Sequence, residues 1–276
     1  MVEGHLKKMQ ATLGVNDGET VNYVLPVGDT LVGLNQYLGK TIRLAFKGEI
    51  NCTHCGRKTK KSYSQGFCYV CMTKLAQCDL CIMRPETCHY HLGTCREPEW
   101  GEKFCMQDHF VYLANSSGLK VGITRHTQVP TRWIDQGATQ ALPIFRVKTR
   151  LQSGLVETAL KKYVADRTDW RKMLKGQAEE KQMFAERDRL LEEACSELEA
   201  IQKEHEAGQV ELLSDAEEVA ITYPVIEYPE KVSSMNFDKT PEIEGVLLGI
   251  KGQYLILDKG VLNIRKFGSY NVVFDA

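Results

Sequence analysis

The sequence predicts an α+β protein. A cysteine-rich insert and a compact ββαβα module are set into a small all-β domain split between the two chain ends, with a long acidic helix beside them. Three observations lead there. Nine of the ten cysteines fall between Cys52 and Cys105. Short apolar strands punctuated by glycine turns occupy both ends of the chain. Between them, about sixty residues from Phe110 read strand, strand, helix, strand, helix.

A chain of 276 residues accommodates several small units. The expected division is an N-terminal β part over 1–50, a cysteine-rich region over 51–109, the mixed module over 110–176, an acidic helix over 177–217, and a C-terminal β part over 218–276 that packs with 1–50. Hydrophobic content of 43 % suits a soluble globular protein with real cores. No apolar run approaches the roughly 20 residues of a membrane span. The start, MVEGHLKKMQATLG, lacks the apolar stretch of a secretory signal, so the expected location is the cytoplasm.

The first β part is expected to hold strands at Thr20–Leu25 and Lys40–Ile50, with a turn over Pro26–Asp29. In the second strand Ile42, Leu44 and Phe46 alternate with Thr41, Arg43 and Ala45, as a half-buried strand requires. That strand leads directly into Cys52-x2-Cys55, and twelve residues later comes Cys68-x2-Cys71. Two thiolates on one tight turn clamp a metal ion, and two such turns complete a tetrahedral zinc shell with Zn–S of about 2.3 Å. The gap suits the hairpin of a zinc ribbon. In a reducing compartment, clustered CxxC pairs mean metal thiolates rather than disulfides. The hairpin tip carries Arg57, Lys58, Lys60 and Lys61 with Tyr63 and Phe67 close behind, which either contacts phosphates and stacks on bases or is a solvated turn whose aromatics pack on the zinc site.

The following segment, Cys78-x2-Cys81, Cys88-His89-x-His91, Cys95 and Cys105-x3-His109, offers more ligands than one ion uses. A second zinc at Cys78, Cys81, Cys88 and one later ligand is expected. Cys95, Cys105 and His109 either finish that site or form a third.

The net charge of −1 hides an asymmetry: residues 51–175 carry 20 Lys and Arg against 10 Asp and Glu. A basic middle between acidic ends points to a polyanionic partner, nucleic acid above all, unless the cations pair locally.

Within the module, Phe110–Ala114 and Leu119–Thr124 form a hairpin around Asn115–Gly118, Thr131–Ile134 opens a helix, Ala141–Thr149 is the third strand and Gly154–Val164 the second helix. From Phe110 to Trp170 this pattern resembles the GIY-YIG nuclease superfamily. The first motif's tyrosine falls on Tyr112, the second motif on Lys120-Val121-Gly122, the helix arginine on Arg132 and the metal-binding glutamate on Glu157. The resemblance implies that Glu157 holds Mg²⁺ or Mn²⁺, that Arg132 contacts a scissile phosphate and that Tyr112 orients or deprotonates water. It departs at Phe110, which replaces the first glycine, and at Lys120, which replaces the second tyrosine and retains only a point charge for a phosphate. Arg125 and Arg132 join the basic fingertip as expected nucleic-acid contacts. Nearly the whole chain, especially CHYHLGTCREPEWGEKFC followed by VYLANSSGLKVGITR, also resembles an uncharacterised bacterial family filed as a domain of unknown function.

Ala178 to Ala207 is expected to be one long helix with Met183, Phe184, Leu190, Leu191, Ala194, Cys195, Leu198 and Ile201 on its apolar side and Gly208 as its C-cap. Its acidic outer face would dock a protein partner or cover the basic groove. Residues 217–238 are extended, and strands at Val246–Ile250, Tyr254–Leu257, Val261–Ile264 and Tyr270–Phe274 suggest a small barrel or sandwich. The expected function is that of a zinc-containing protein that binds DNA or RNA through the module. Whether it is a Mg²⁺-dependent phosphodiester-cleaving nuclease or a non-catalytic binder stays open at this point. A zinc-stabilised protein-interaction scaffold is the third reading.

Overall fold

The structure is a computed structural model that describes residues 1–14, 19–165 and 167–276. It is a mixed α+β fold with several sheets. The N-terminal strands are β1 (Val2–His5), β2 (Gln10–Thr12), β3 (Asn22–Val27), β4 (Thr30–Gly33) and β5 (Thr41–Ile50). The cysteine-rich region contributes helices α1 (Tyr69–Lys74) and α2 (Pro98–Cys105) among short 3₁₀ turns. Then follow β6 (His109–Asn115), β7 (Leu119–Arg125), α3 (Thr131–Asp135), β8 (Gln140–Val147), α4 (Arg150–Leu160) and α5 (Trp170–Met173). Helices α6 (Met183–Glu193) and α7 (Cys195–Lys203) precede the short strands β9 (Val210–Leu212) and β10 (Val219–Ala220). The chain ends in β11 (Glu242–Lys251), β12 (Tyr254–Leu257), β13 (Gly260–Asn263) and β14 (Tyr270–Asp275).

The two chain ends share one sheet. Its order is β1-β14-β5-β11-β12-β13, with β14 paired antiparallel to both β1 and β5. The alternation in β5 acts as its sequence implies, with Ile42 and Leu44 fully buried and Arg43 at the surface in an ion pair with Glu242. Strands β2, β3 and β4 form a separate small sheet. The module's sheet runs β10-β8-β6-β7, with β9 added on β8, so Val219–Ala220 pairs with the module and not with the terminal β strands.

That module sheet is buried on both faces, and period-two alternation along β6 assigns each residue to one of them. Tyr112 and Ala114 face the terminal β structure, sharing a core with Trp133, Ile134, Ile42, Leu247 and Phe267. Val111 and Leu113 face the other way, against Val156 and Leu160 of α4 and Met183, Leu190 and Leu198 of α6 and α7.

Three expectations about helices need correction. The third strand ends at Val147, and α4 starts at Arg150 because Thr149 caps it: its side chain accepts from Gln152 N at 3.2 Å while the Gln152 amide accepts from Thr149 N at 3.0 Å. This reciprocal capping box pins the helix start four residues earlier than expected. The acidic segment is two helices broken at Ala194 (φ −97°, ψ 11°), and the second ends at Lys203, so Gly208 lies beyond its cap. The break rotates Cys195 out of the apolar stripe. Cys195 is exposed, with its sulfur 3.5 Å from a Glu199 carboxylate oxygen. No described helix is long and apolar enough to cross a membrane.

Candidate functional site: a four-cysteine cluster and a cationic cavity

Gly56, at φ +70°, lets the chain reverse after Cys55, and Gly56 N donates to Cys52 O at 2.9 Å. The second turn is the start of α1, where Cys71 N donates to Cys68 Sγ at 3.5 Å. Cys55 and Cys68 sulfurs lie 3.8 Å apart, and the sulfurs of Cys52, Cys55, Cys68 and Cys71 all lie within 4.8 Å of one another. Four thiols at this spacing, three of them buried, fit a tetrahedral metal ion. Around them the apolar cover is thin: Leu75, with Phe67 and Cys78 at the margin.

Cys78 therefore leaves the second ligand set to which its spacing assigned it. The 3₁₀ turn Ala76–Cys78 follows α1 directly and lays Cys78 against the first cluster, beside Ser64. Cys81, Cys88, Cys95 and Cys105 line a different small pocket with Asp79 and His89. His91 is exposed. His109 is wholly buried but lines neither that pocket nor the first cluster, because the chain turns out of α2 at Met106 and the C-x3-H spacing does not lie on one helical turn. Its Nδ1 sits 2.7 Å from Gln107 O, while Nε2 has no partner.

Burial holds His109 down at about 4. The unfolded imidazole titrates near 6.5, so the folded state binds fewer protons between those values. The His109 contribution is fully present above pH 6.5 and is lost as pH falls towards 4, by up to about 3 kcal/mol. Urea midpoints across this range should fall for the wild type and stay flatter for His109→Asn. Parallel curves would contradict the burial argument.

A cavity of about 750 Å³ opens at the edge of the module sheet beside β7. Arg132 of α3 and Glu157 of α4 both line it. Tyr112 lies just behind, with its phenol donating to Gln136 Oε1 at 3.0 Å and Gln136 itself in the wall. Burial raises the phenol above its ordinary value, and the adjacent Arg132 guanidinium offsets this in part. As placed, the Tyr112 phenol is engaged with Gln136 and does not itself line the cavity.

Gly122, paired with Tyr112 across the hairpin, makes room for that phenol. A Cβ at 122 would lie 2.8 Å from the Tyr112 hydroxyl oxygen and 2.9 Å from Cζ. Gly122→Ala is expected to cost about 1–3 kcal/mol through this overpacking and to dislodge the Tyr112–Gln136 bond. A thermal melt together with the tyrosine ring resonances would check both. An unchanged melt would show that the ring has room to move.

Charge is the cavity's main property. Eight Lys and Arg side chains line it against three carboxylates. Arg125 and Arg132 come from the hairpin end and α3, Arg150 and Lys161 from either end of α4, Arg84 from the cysteine-rich region, Arg167 from the turn after α4, and Lys8 and Arg265 from the terminal β structure. Lys8 is ion-paired with Asp135, which also accepts from Gln253 at 2.9 Å. Burial, followed by the charge of Arg150, lowers Arg125, and burial followed by the charge of Arg132 lowers Arg265. Crowded, desolvated guanidinium groups of this kind form a site that an anion would relieve.

Other expected contacts lie elsewhere. Lys120 is buried and donates to Thr168 Oγ1 at 2.7 Å, and it does not line the cavity. The fingertip cations sit at the exposed hairpin of the first cluster: Lys58 pairs with Glu49 at 2.6 Å and Lys61 lies over the Tyr63 ring. Lys58 and Lys60 border a separate groove. Part of the basic surplus is neutralised locally, as in Arg96–Asp79, Arg146–Glu211 and Lys162–Glu197. Among the described residues of α6 and α7, none lines the cavity, so the acidic helices do not cover it. Lys8, Arg84, Gln136, Arg150, Lys161 and Arg265 were not singled out from the sequence, because only the fold brings these separate segments together.

A model of the family described as "Protein of unknown function (DUF2797)" matches residues 39–272. No curated protein and no solved structure matches the chain.

Proposed function

The chain belongs to the DUF2797 family, and from that premise we propose that it is a zinc-stapled, nucleic-acid-binding protein that cleaves a phosphodiester held in the cationic cavity. One observation carries this: Arg132, Glu157 and the Tyr112–Gln136 pair converge on a cavity where lysines and arginines outnumber carboxylates eight to three. The order of β6, β7, α3, β8 and α4 agrees with a GIY-YIG-like module. Zinc is the metal that four thiolates at the first cluster suit best.

In this scheme Arg132 binds a phosphate oxygen pair bidentately, and Arg125 and Lys161 hold the flanking backbone charge. Tyr112, protonated and donating to Gln136 Oε1, orients that amide in the cavity wall, where the Gln136 NH₂ would donate to a non-bridging phosphate oxygen. Glu157 would hold a hard divalent cation such as Mg²⁺, which favours carboxylate oxygen. Such an ion supplies charge neutralisation on the phosphoryl group. Deeply set guanidinium groups also exclude water from the seated phosphate and strengthen each contact.

Binding without cleavage is the second reading. The placement of Lys120 favours it, since the residue at the second motif's tyrosine is turned to Thr168. Purified protein incubated with single- and double-stranded DNA and RNA, with Mg²⁺ or Mn²⁺, separates the two. Cleavage supports the first. Salt-sensitive binding with no cut strand leaves only the second. Absence of both removes the nucleic-acid reading altogether.

A further inference from the structure

Four thiols outside the first cluster surround a space of atomic size. Cys81, Cys88, Cys95 and Cys105 line a pocket of about 10 Å³ walled by Tyr90 and Trp100, room for a single atom-sized occupant. Three of them are buried, and Cys88 and Cys105 lie close enough for their thiols to interact. Gly101 permits the close packing of α2 here: a Cβ would stand 2.7 Å from the Tyr90 ring and 3.1 Å from Cys95 Sγ. Asp79 and His89 are rival ligands: their ligand atoms and Cys81 Sγ all lie within 4.8 Å of one another, a closeness the four thiols do not share. Asp79 is already bound to Arg96 at 2.6 Å, and His89 Nδ1 lies 2.8 Å from Thr94 Oγ1. The thiols are the softer set.

The pocket's neighbour is the cationic cavity. Residues 82–86, strung between Cys81 and Cys88, form one wall of it. Arg150 ties this wall to α4 by donating to Cys81 O at 3.3 Å and Ile82 O at 2.7 Å. One turn along α4, at Gly154, a Cβ would lie 2.2 Å from Glu86 N, so the wall presses on the helix that carries Glu157. We propose that Cys81, Cys88, Cys95 and Cys105 bind a second, thiolate-held zinc ion, and that this ion fixes the 82–86 wall of the phosphate cavity. Bonds at Cys81 and Cys88 close the wall into a short loop, removing most of its freedom. Ion binding releases the thiol protons to solvent. The wall's role in phosphate binding rests on the function proposed above; the metal site does not.

The test is zinc content of anaerobically purified wild type, Cys52→Ser and Cys88→Ser, with amide hydrogen exchange followed over residues 80–88. Two equivalents are expected in the wild type and one in each variant. Exchange over 80–88 should rise in Cys88→Ser and stay low in Cys52→Ser, and oligonucleotide affinity should fall about tenfold or more in Cys88→Ser. One equivalent in the wild type, absent from Cys52→Ser, overturns the metal site. A second equivalent lost from Cys88→Ser with unchanged exchange overturns the wall. If Cys88→Ser does not fold, Co²⁺ reconstitution of the wild type decides: thiolate charge-transfer intensity that doubles with the second equivalent supports the site, and saturation at one equivalent sinks it. If the wild type binds no oligonucleotide, the cavity's proposed ligand fails while zinc count and exchange still judge this inference.

Discussion

Glu157→Gln is expected to abolish Mg²⁺-dependent strand cleavage, by about 10³-fold, while leaving nucleic-acid binding intact or tighter. The sign of the binding effect follows from the cavity's charge. Glu157 is one of three carboxylates facing eight cations, so neutralising it removes a repulsion from an incoming phosphate. Arg132→Ala should behave differently, losing both binding and cleavage, because its guanidinium stands at the cavity and against the Tyr112 phenol. A single-turnover assay on a labelled strand, paired with a binding titration at fixed salt, separates the two variants. Wild-type cutting by Glu157→Gln would remove the glutamate from the chemistry.

Loss of metal from the four-cysteine cluster is expected to have the largest effect on structure. The apolar residues around Cys52, Cys68 and Cys71 amount to Leu75 with Phe67 and Cys78 at the edge, too little to order the segment alone. Zinc held by four thiolates is worth about 10–16 kcal/mol in small zinc-finger peptides at neutral pH. A chelator, or Cys52→Ser, should therefore unfold roughly residues 51–78 while the terminal sheet, which has its own core, persists. The damage would reach the cavity's rim, since Gln65 of this segment holds the Arg265 guanidinium and Ser62 donates to Gly268 O at 3.0 Å. Hydrogen exchange by segment, before and after chelation, would show a boundary near Cys52. Uniform protection throughout would contradict a metal-dependent fold for this segment.

Much of the architecture was readable where one local rule dominates. The two CxxC turns, the alternation along β5 and the strand–turn–strand pattern around Asn115–Gly118 each depend on residues near one another in the chain, and the structure forms them where the sequence places them. Reading failed where a neighbour in space decided. Cys78 carries the spacing of a second-site ligand, yet the turn after α1 delivers it to the first cluster. His109 has ligand spacing from Cys105, but the exit from α2 takes it elsewhere. The start of α4 had a local signal, Thr149-x-x-Gln152, that the strand pattern of Ala141–Thr149 masked. The cavity was only half legible, because Lys8 and Arg265 come from opposite ends of the chain.

Tyr112 stands on the sheet face that rests on Trp133, Ile42 and Phe267, and this bears on how the chain can be divided. A fragment spanning only 110–176 would present that face, with its phenol, to water, and would also lack the Lys8 and Arg265 contributions. Such a fragment should be insoluble or molten when expressed alone. The mixed module therefore cannot be shuffled between proteins as a free-standing cassette; it inherits its working shape from the two chain ends that close around it.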